Sequence, residues 1–156
     1  MAGQRVLLVH ENADCRRIYA AALAHESYDV IVVDDGDAAL EVYSASSWAL
    51  IVTDLFVRSQ VDDCFLRLLQ RAPASRVRPP VLVLSAWSTE EHRHLANAEG
   101  ADAFFPLPVA PTDFLIVVHD LLAPSLPPSV TRRATDGANV SSQVLYSPPS
   151  SSAGAW

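Results

Sequence analysis

The stretch Trp48-Ala-Leu-Ile-Val-Thr53 is a short apolar run that ends on a lone carboxylate, Asp54. A continuous run of this length, rich in Ile, Val and Thr and bounded by polar residues, reads as a strand buried on both faces. Such strands belong to parallel sheets covered by helices, where ligands bind outside the carboxyl ends of the strands. Two further runs end in the same way. Residues 6–9 lead into His10-Glu11, and residues 81–84 lead into Ser85-Ala86. Three strand ends therefore offer carboxylates and a hydroxyl.

Strand-like and helix-like segments alternate through residue 123. Strands are predicted at 6–9, 29–33, 48–53, 81–84 and 103–105. The first helix, capped by Asn12, runs to about residue 26, with Ile18, Tyr19, Ala22 and Leu23 at helical spacing. Helices follow near 37–44 and at 62–71, where Phe65, Leu68 and Leu69 share a side. A fourth opens at Ser88 with Glu91 three residues on, the pattern of a capping box, and Gly100 stops it. The last spans 112–122, with Pro111 near its start. Five βα units in succession predict an α/β fold with helices on both faces of a parallel sheet.

Residues 124–156 have another character. They hold five prolines and eight serines with few large apolar residues. Such a segment buries too little surface to offset the entropy of ordering, so it is expected to be disordered. Within it Val144-Leu145-Tyr146 stands out as a short docking segment and Ser147-Pro148 as a modification site. An inert extension is the simpler reading of both. The domains are thus 1–123, folded, and 124–156, a Pro/Ser-rich tail.

The formal charge of −7 argues against a nucleic-acid partner, which requires a basic footprint. The start of the chain shows no signal-peptide pattern, and no apolar run nears the roughly 18 residues of a membrane span. A cytoplasmic protein is expected. Two cysteines without Cys-x-x-Cys spacing suggest neither a disulfide framework nor a zinc site. All 11 basic residues are arginines, which excludes chemistry that needs a Schiff-base or P-loop lysine.

Taken together, His10-Glu11, Asp54, Ser85-Ala86, Glu99-Gly-Ala-Asp102, Leu107-Pro108 and the Arg16-Arg17-Ile18 segment resemble the receiver domain of bacterial two-component response regulators. The resemblance covers residues 5 to about 123. It implies the flavodoxin-like (βα)5 fold with strand order 2-1-3-4-5. In that family the first strand ends in two acids, the third in the phosphoacceptor Asp, the fourth in Ser or Thr followed by Ala, and the fifth in Lys-Pro. The matching implies Asp54 as phosphoacceptor, with Mg²⁺ held by Glu11, Asp54 and the backbone carbonyl of Phe56. Ser85, followed by Ala86, would contact the phosphoryl group, and Phe104 occupies the place of the aromatic switch residue. The implied partners are a histidine kinase or phosphotransfer protein and a downstream protein. A homodimer through the face of fourth helix, fifth strand and fifth helix is a further option. No output domain follows in the sequence, so signalling is expected to run through protein contacts. The resemblance implies no enzymatic activity beyond self-catalysed phosphoryl transfer to Asp54.

The chain also departs from the family. His10 replaces an acid and becomes a candidate outer-shell metal ligand, one that would suit Mn²⁺ better than Mg²⁺. Glu11 is one methylene longer than the usual Asp. Leu107 stands where the lysine belongs, and no other lysine exists to substitute. The loop after Asp54, Leu55-Phe-Val-Arg58 and Val61-Asp-Asp63, lacks the family's proline and glycine.

Two readings stay open: a phosphoaccepting single-domain response regulator, and a degenerate receiver that binds partners independently of phosphorylation. A haloacid-dehalogenase phosphatase would need a second Asp at position 56 and a lysine. An isolated Asp54 that merely caps a turn leaves Glu11 and Ser85 unexplained. His92-Arg-His94 reads as solvated helix surface, since positions i and i+2 face different ways. Asp34, Asp35 and Asp37 suit turn and capping roles. Trp87 reads equally as a partner contact or as packing against the fourth helix.

Overall fold

A computed structural model describes residues 3–71 and 78–123 together with the strand Leu145–Tyr146. The elements run β1 (Arg5–Val9), α1 (Ala13–His25), β2 (Asp29–Val33), α2 (Gly36–Ala45), β3 (Leu50–Thr53), α3 (Phe65–Leu69), β4 (Val81–Ser85), α4 (Glu90–Ala98), β5 (Ala103–Pro106), α5 (Pro111–Leu122) and β6 (Leu145–Tyr146). The sheet order is β2-β1-β3-β4-β5-β6. The first five strands are parallel, in the order that the resemblance implies.

The central strands β1, β3 and β4 are almost wholly buried because both sheet faces are covered. Alternation along each strand divides the core in two. Leu7, Val9, Ile51, Val81, Val83 and Phe104 pack under α2, α3 and α4 with Tyr43, Phe65 and Leu68. Val6, Leu8, Leu50, Val52, Leu82 and Phe105 pack under α1 and α5 with Tyr19, Leu23 and Phe114. The register sets Val9 beside both Val33 and Thr53, so three connections leave the sheet at one level. Among the described residues no helix is long and apolar enough to cross a membrane.

Three expectations need correction. The third helix is not 62–71 but only Phe65–Leu69. The Val57 amide donates to Asp63 O at 2.8 Å, and Phe56 bridges Cys64 in antiparallel fashion. Backbone groups tied across the loop in this way cannot also form a helical turn. The fourth helix is capped by Thr89, not Ser88. The Thr89 hydroxyl accepts from the His92 amide at 3.3 Å, and His92 Nδ1 accepts from the Thr89 amide, so histidine fills the place expected of Glu91. Finally, the tail is not without structure at Leu145–Tyr146, which adds an antiparallel strand to β5. The rest of the expected disorder, and Ser147-Pro148, lie outside the described residues.

Other local expectations hold. Asn12 caps α1 by accepting from the Cys15 amide at 3.0 Å. Asp35 caps α2 through the Ala38 amide. Asp37 accepts from Ser59 Oγ at 2.6 Å and from the Gln60 amide at 2.8 Å, pinning the loop that follows β3. Gly36 is required there: its amide donates to Arg58 O at 2.7 Å, and a Cβ would meet Val57 Cγ2 at 3.0 Å.

Candidate functional site

Asp54 directly follows β3, with its amide donating to Val9 O at 3.0 Å. It is only 8% exposed. Oδ1 accepts from the Leu55 amide at 2.6 Å, and the Phe56 amide and the Ser85 hydroxyl lie near enough to favour the charged form. Burial raises the Asp54 pKa above the ordinary carboxylate value. Ser85, His10 and the two amides pull it back only in part. Thr53 Oγ donates to Asp54 O at 2.8 Å and fixes the turn from behind.

His10 lies beside this carboxylate, its Nε2 3.4 Å from Asp54 Oδ2. The same nitrogen is 3.1 Å from Leu84 O, a group that can only accept, so Nε2 carries the proton. Nδ1 accepts from the Asn12 amide at 3.2 Å. Both ring nitrogens thus have protein partners in this structure. His10 is a buried wedge that ties β1 to β4 and flanks Asp54.

Glu11 follows His10 and is exposed. The carbonyls of His10 and Glu11 both accept from Arg16 Nη1 at 2.8 Å. Arg16 thus shapes the loop carrying Glu11, a role that sequence reasoning missed. A cation one turn into the helix that follows an acidic strand end is the signal that could have revealed it.

Ser85 ends β4 fully buried, and Ala86 after it is exposed. The Trp87 amide donates to Ser85 Oγ at 3.0 Å. Ser85 therefore links Asp54 to a surface aromatic group. Phe56, Trp87 and His92 meet edge to face, with ring centroids 5.6–6.1 Å apart. Trp87 packs against α4 through His92, as one of its two expected readings has it, and is 55% exposed. His92, half-buried in this cluster, is not the solvated residue expected, whereas His94 is, with only Glu90 nearby at 3.6 Å.

Phe104 lies fully buried on β5 beneath α4, with the Arg93 guanidinium 5.8 Å from its ring centre. Leu107 does not replace the missing cation. Its amide donates to Ser85 O at 3.0 Å, and its side chain packs on the core beneath α1 and α5.

The oxygen donors suit a hard divalent cation, which needs few protein ligands because it keeps several waters. Asp54 and Glu11 leave adjacent strand ends and the Phe56 backbone adjoins Asp54. Among the described residues no three of His, Cys, Asp or Glu gather into a group able to hold a metal. Any such site would rest on two carboxylates and a carbonyl.

Residues 6–119 match the family model for the response regulator receiver domain. The DNA-binding transcriptional regulator NtrC of Rhizobium meliloti is 29% identical over 79% of the chain. The alkaline phosphatase synthesis transcriptional regulatory protein SphR of Synechococcus elongatus is 31% identical over 76%. The matched stretch spans only 25% and 48% of these relatives. Among solved structures, the receiver domain of a Pseudomonas aeruginosa sensor histidine kinase, with a magnesium ion coordinated in its active site cleft, superposes with a TM-score of 0.68. It is 23% identical over 78% of this chain and 98% of that one.

Proposed function

Because the chain belongs to the response regulator receiver domain family, we propose that it accepts a phosphoryl group on Asp54 from a histidine kinase or phosphotransfer protein. The observation that carries this reading is the buried Asp54 carboxylate at the end of β3, with the buried Ser85 at the end of the neighbouring strand β4. An Asp54 oxygen attacks the phosphorus of a phosphoimidazole. The new P–O bond forms as the P–N bond breaks, and the leaving imidazole takes up a proton. Such transfer requires positioning and charge stabilisation more than covalent work by the protein. The Leu55 and Phe56 amides orient the carboxylate, and the Ser85 hydroxyl is placed to donate to a phosphoryl oxygen.

Glu11, Asp54 and the Phe56 carbonyl would hold Mg²⁺, which neutralises phosphoryl charge when bound. Signalling then passes to a protein partner through the face of α4, β5 and α5, where a homodimer is a further option.

A specific observation favours the second reading, an interaction module that works without phosphorylation. At the ends of β1 and β5, where the family has an acid and a lysine, this chain has a histidine tied to Leu84 O and a core-packed leucine. The test is intact-mass measurement after treatment with acetyl phosphate and Mg²⁺, beside Asp54→Ala and a conventional receiver. One added phosphoryl group, absent from the variant, is the expected result. No addition, with the control labelled, transfers the function to the interaction module.

A further inference from the structure

We propose that the outer edge of β5 is a strand-accepting site whose resident occupant is the chain's own Leu145–Tyr146 segment, and that this segment gates access of partners to the face of α4, β5 and α5. The proposal does not depend on whether Asp54 accepts a phosphoryl group.

The first five strands make a parallel sheet in which β5 has only β4 as a parallel neighbour. Its outer edge therefore presents backbone donors and acceptors that are a template for another strand. In this molecule Ala103 pairs with Tyr146 and Phe104 with Leu145, antiparallel to an otherwise parallel sheet. The acceptor is short by construction, because Pro106 ends β5 and has no amide to donate. The donor segment is equally bounded. Val144-Leu145-Tyr146 is the single run of three large apolar residues in 124–156, and Ser147-Pro148-Pro149 follows it. Proline after the run stops any longer ladder. A short strand and the first half of a short edge thus meet at one place.

The strength of the contact suits a gate. A two-residue ladder between separate chains would hold only weakly. Here residues 124–144 link the segment covalently to the end of α5, which makes the pairing intramolecular. Fully extended the link reaches on the order of 70 Å, more than enough to span a domain of this size. The strand therefore forms within the chain, yet a partner of ordinary affinity displaces it. While it is bound, the backbone of Phe104 is clamped between β4 and β6, so partner access and the freedom of Phe104 are coupled.

The test compares the full chain with its Leu145→Pro/Tyr146→Pro variant, which cannot complete the ladder. Ser150→Pro/Ser151→Pro serves as a control for added proline. Hydrogen–deuterium exchange across residues 103–105 should speed up on the order of tenfold in the first variant and stay unchanged in the control. A synthetic peptide of residues 141–149 should restore protection in that variant at millimolar concentration and leave the wild type unaffected. Equal exchange in wild type and variant overturns the proposal, as does peptide binding away from β5. Protection in the wild type that grows with protein concentration would assign the edge to a second copy instead, and overturns it too.

Discussion

Asp54 and Asp62 sit on the same connection, between β3 and α3, yet the chain treats them in opposite ways. Asp62 is half-buried and takes a bidentate Arg67, with Nε to Oδ2 at 2.8 Å and Nη2 to Oδ1 at 3.2 Å. Arg67 and the Cys64 amide hold its carboxyl below the usual range. Arg67 also reaches Glu99 at 3.5 Å, fastening the loop to the end of α4. Asp54 is buried with no arginine beside it among the described residues, and its pKa is pushed up by that burial. The charged partner serves the scaffold, and the carboxylate at the end of β3 is left costly to ionise. Local charge balance, rather than the presence of an acid, separates a structural aspartate from one poised for chemistry.

Supplying Asp54 with a cation should have the largest effect. In Leu107→Lys the rate of phosphoryl labelling should rise roughly tenfold to a hundredfold, as expected for about 1.5–3 kcal/mol from one hydrogen bond to a charged group. A rate no different from wild type, measured by time-resolved intact mass, would show that charge is not what limits the site.

Removing the cation from Asp62 should matter less. Arg67→Ala should destabilise by about 1 kcal/mol, since the pair is partly solvated, lowering Tm by about 4 °C. Because the Asp62 pKa is depressed on folding, this contribution is present above the ordinary carboxylate range and is lost as pH falls through the depressed value. Denaturation at neutral and acidic pH should therefore show wild type and variant converging in acid.

The smallest effect should have the opposite sign. Asp54→Asn removes a group whose folded pKa is raised, so wild type loses stability as pH rises through that value while the variant does not. At neutral pH the variant should melt about a degree or two higher, with the gap closing as pH falls. A variant less stable than wild type at neutral pH would break the contrast between the two aspartates.

Much of this contrast could be read in the sequence, though unevenly. The runs at 48–53 and 81–84 announced buried strands, because burial on both faces leaves a continuous apolar signature. Asp54 and Ser85 at their ends followed from that alone. What escaped depended on contacts distant in the chain. The tie of His10 Nε2 to Leu84 O, on another strand, left no mark in the local sequence. The shortened α3 follows from the pairing of residues 56–57 with 63–64, which overrides a good helical pattern. Leu145–Tyr146 has strand character only because β5 offers it an edge.

The aromatic group at the mouth of the site has an optical consequence. Trp87 is half in solvent, its indole touches Phe56 and His92, and its amide holds the hydroxyl that lies near Asp54. Any shift of Ser85 must change the polarity around that indole. The protein thus carries its own fluorophore joined through Ser85 to the strand end beside its central carboxylate, and its emission spectrum can follow events at Asp54 without a label.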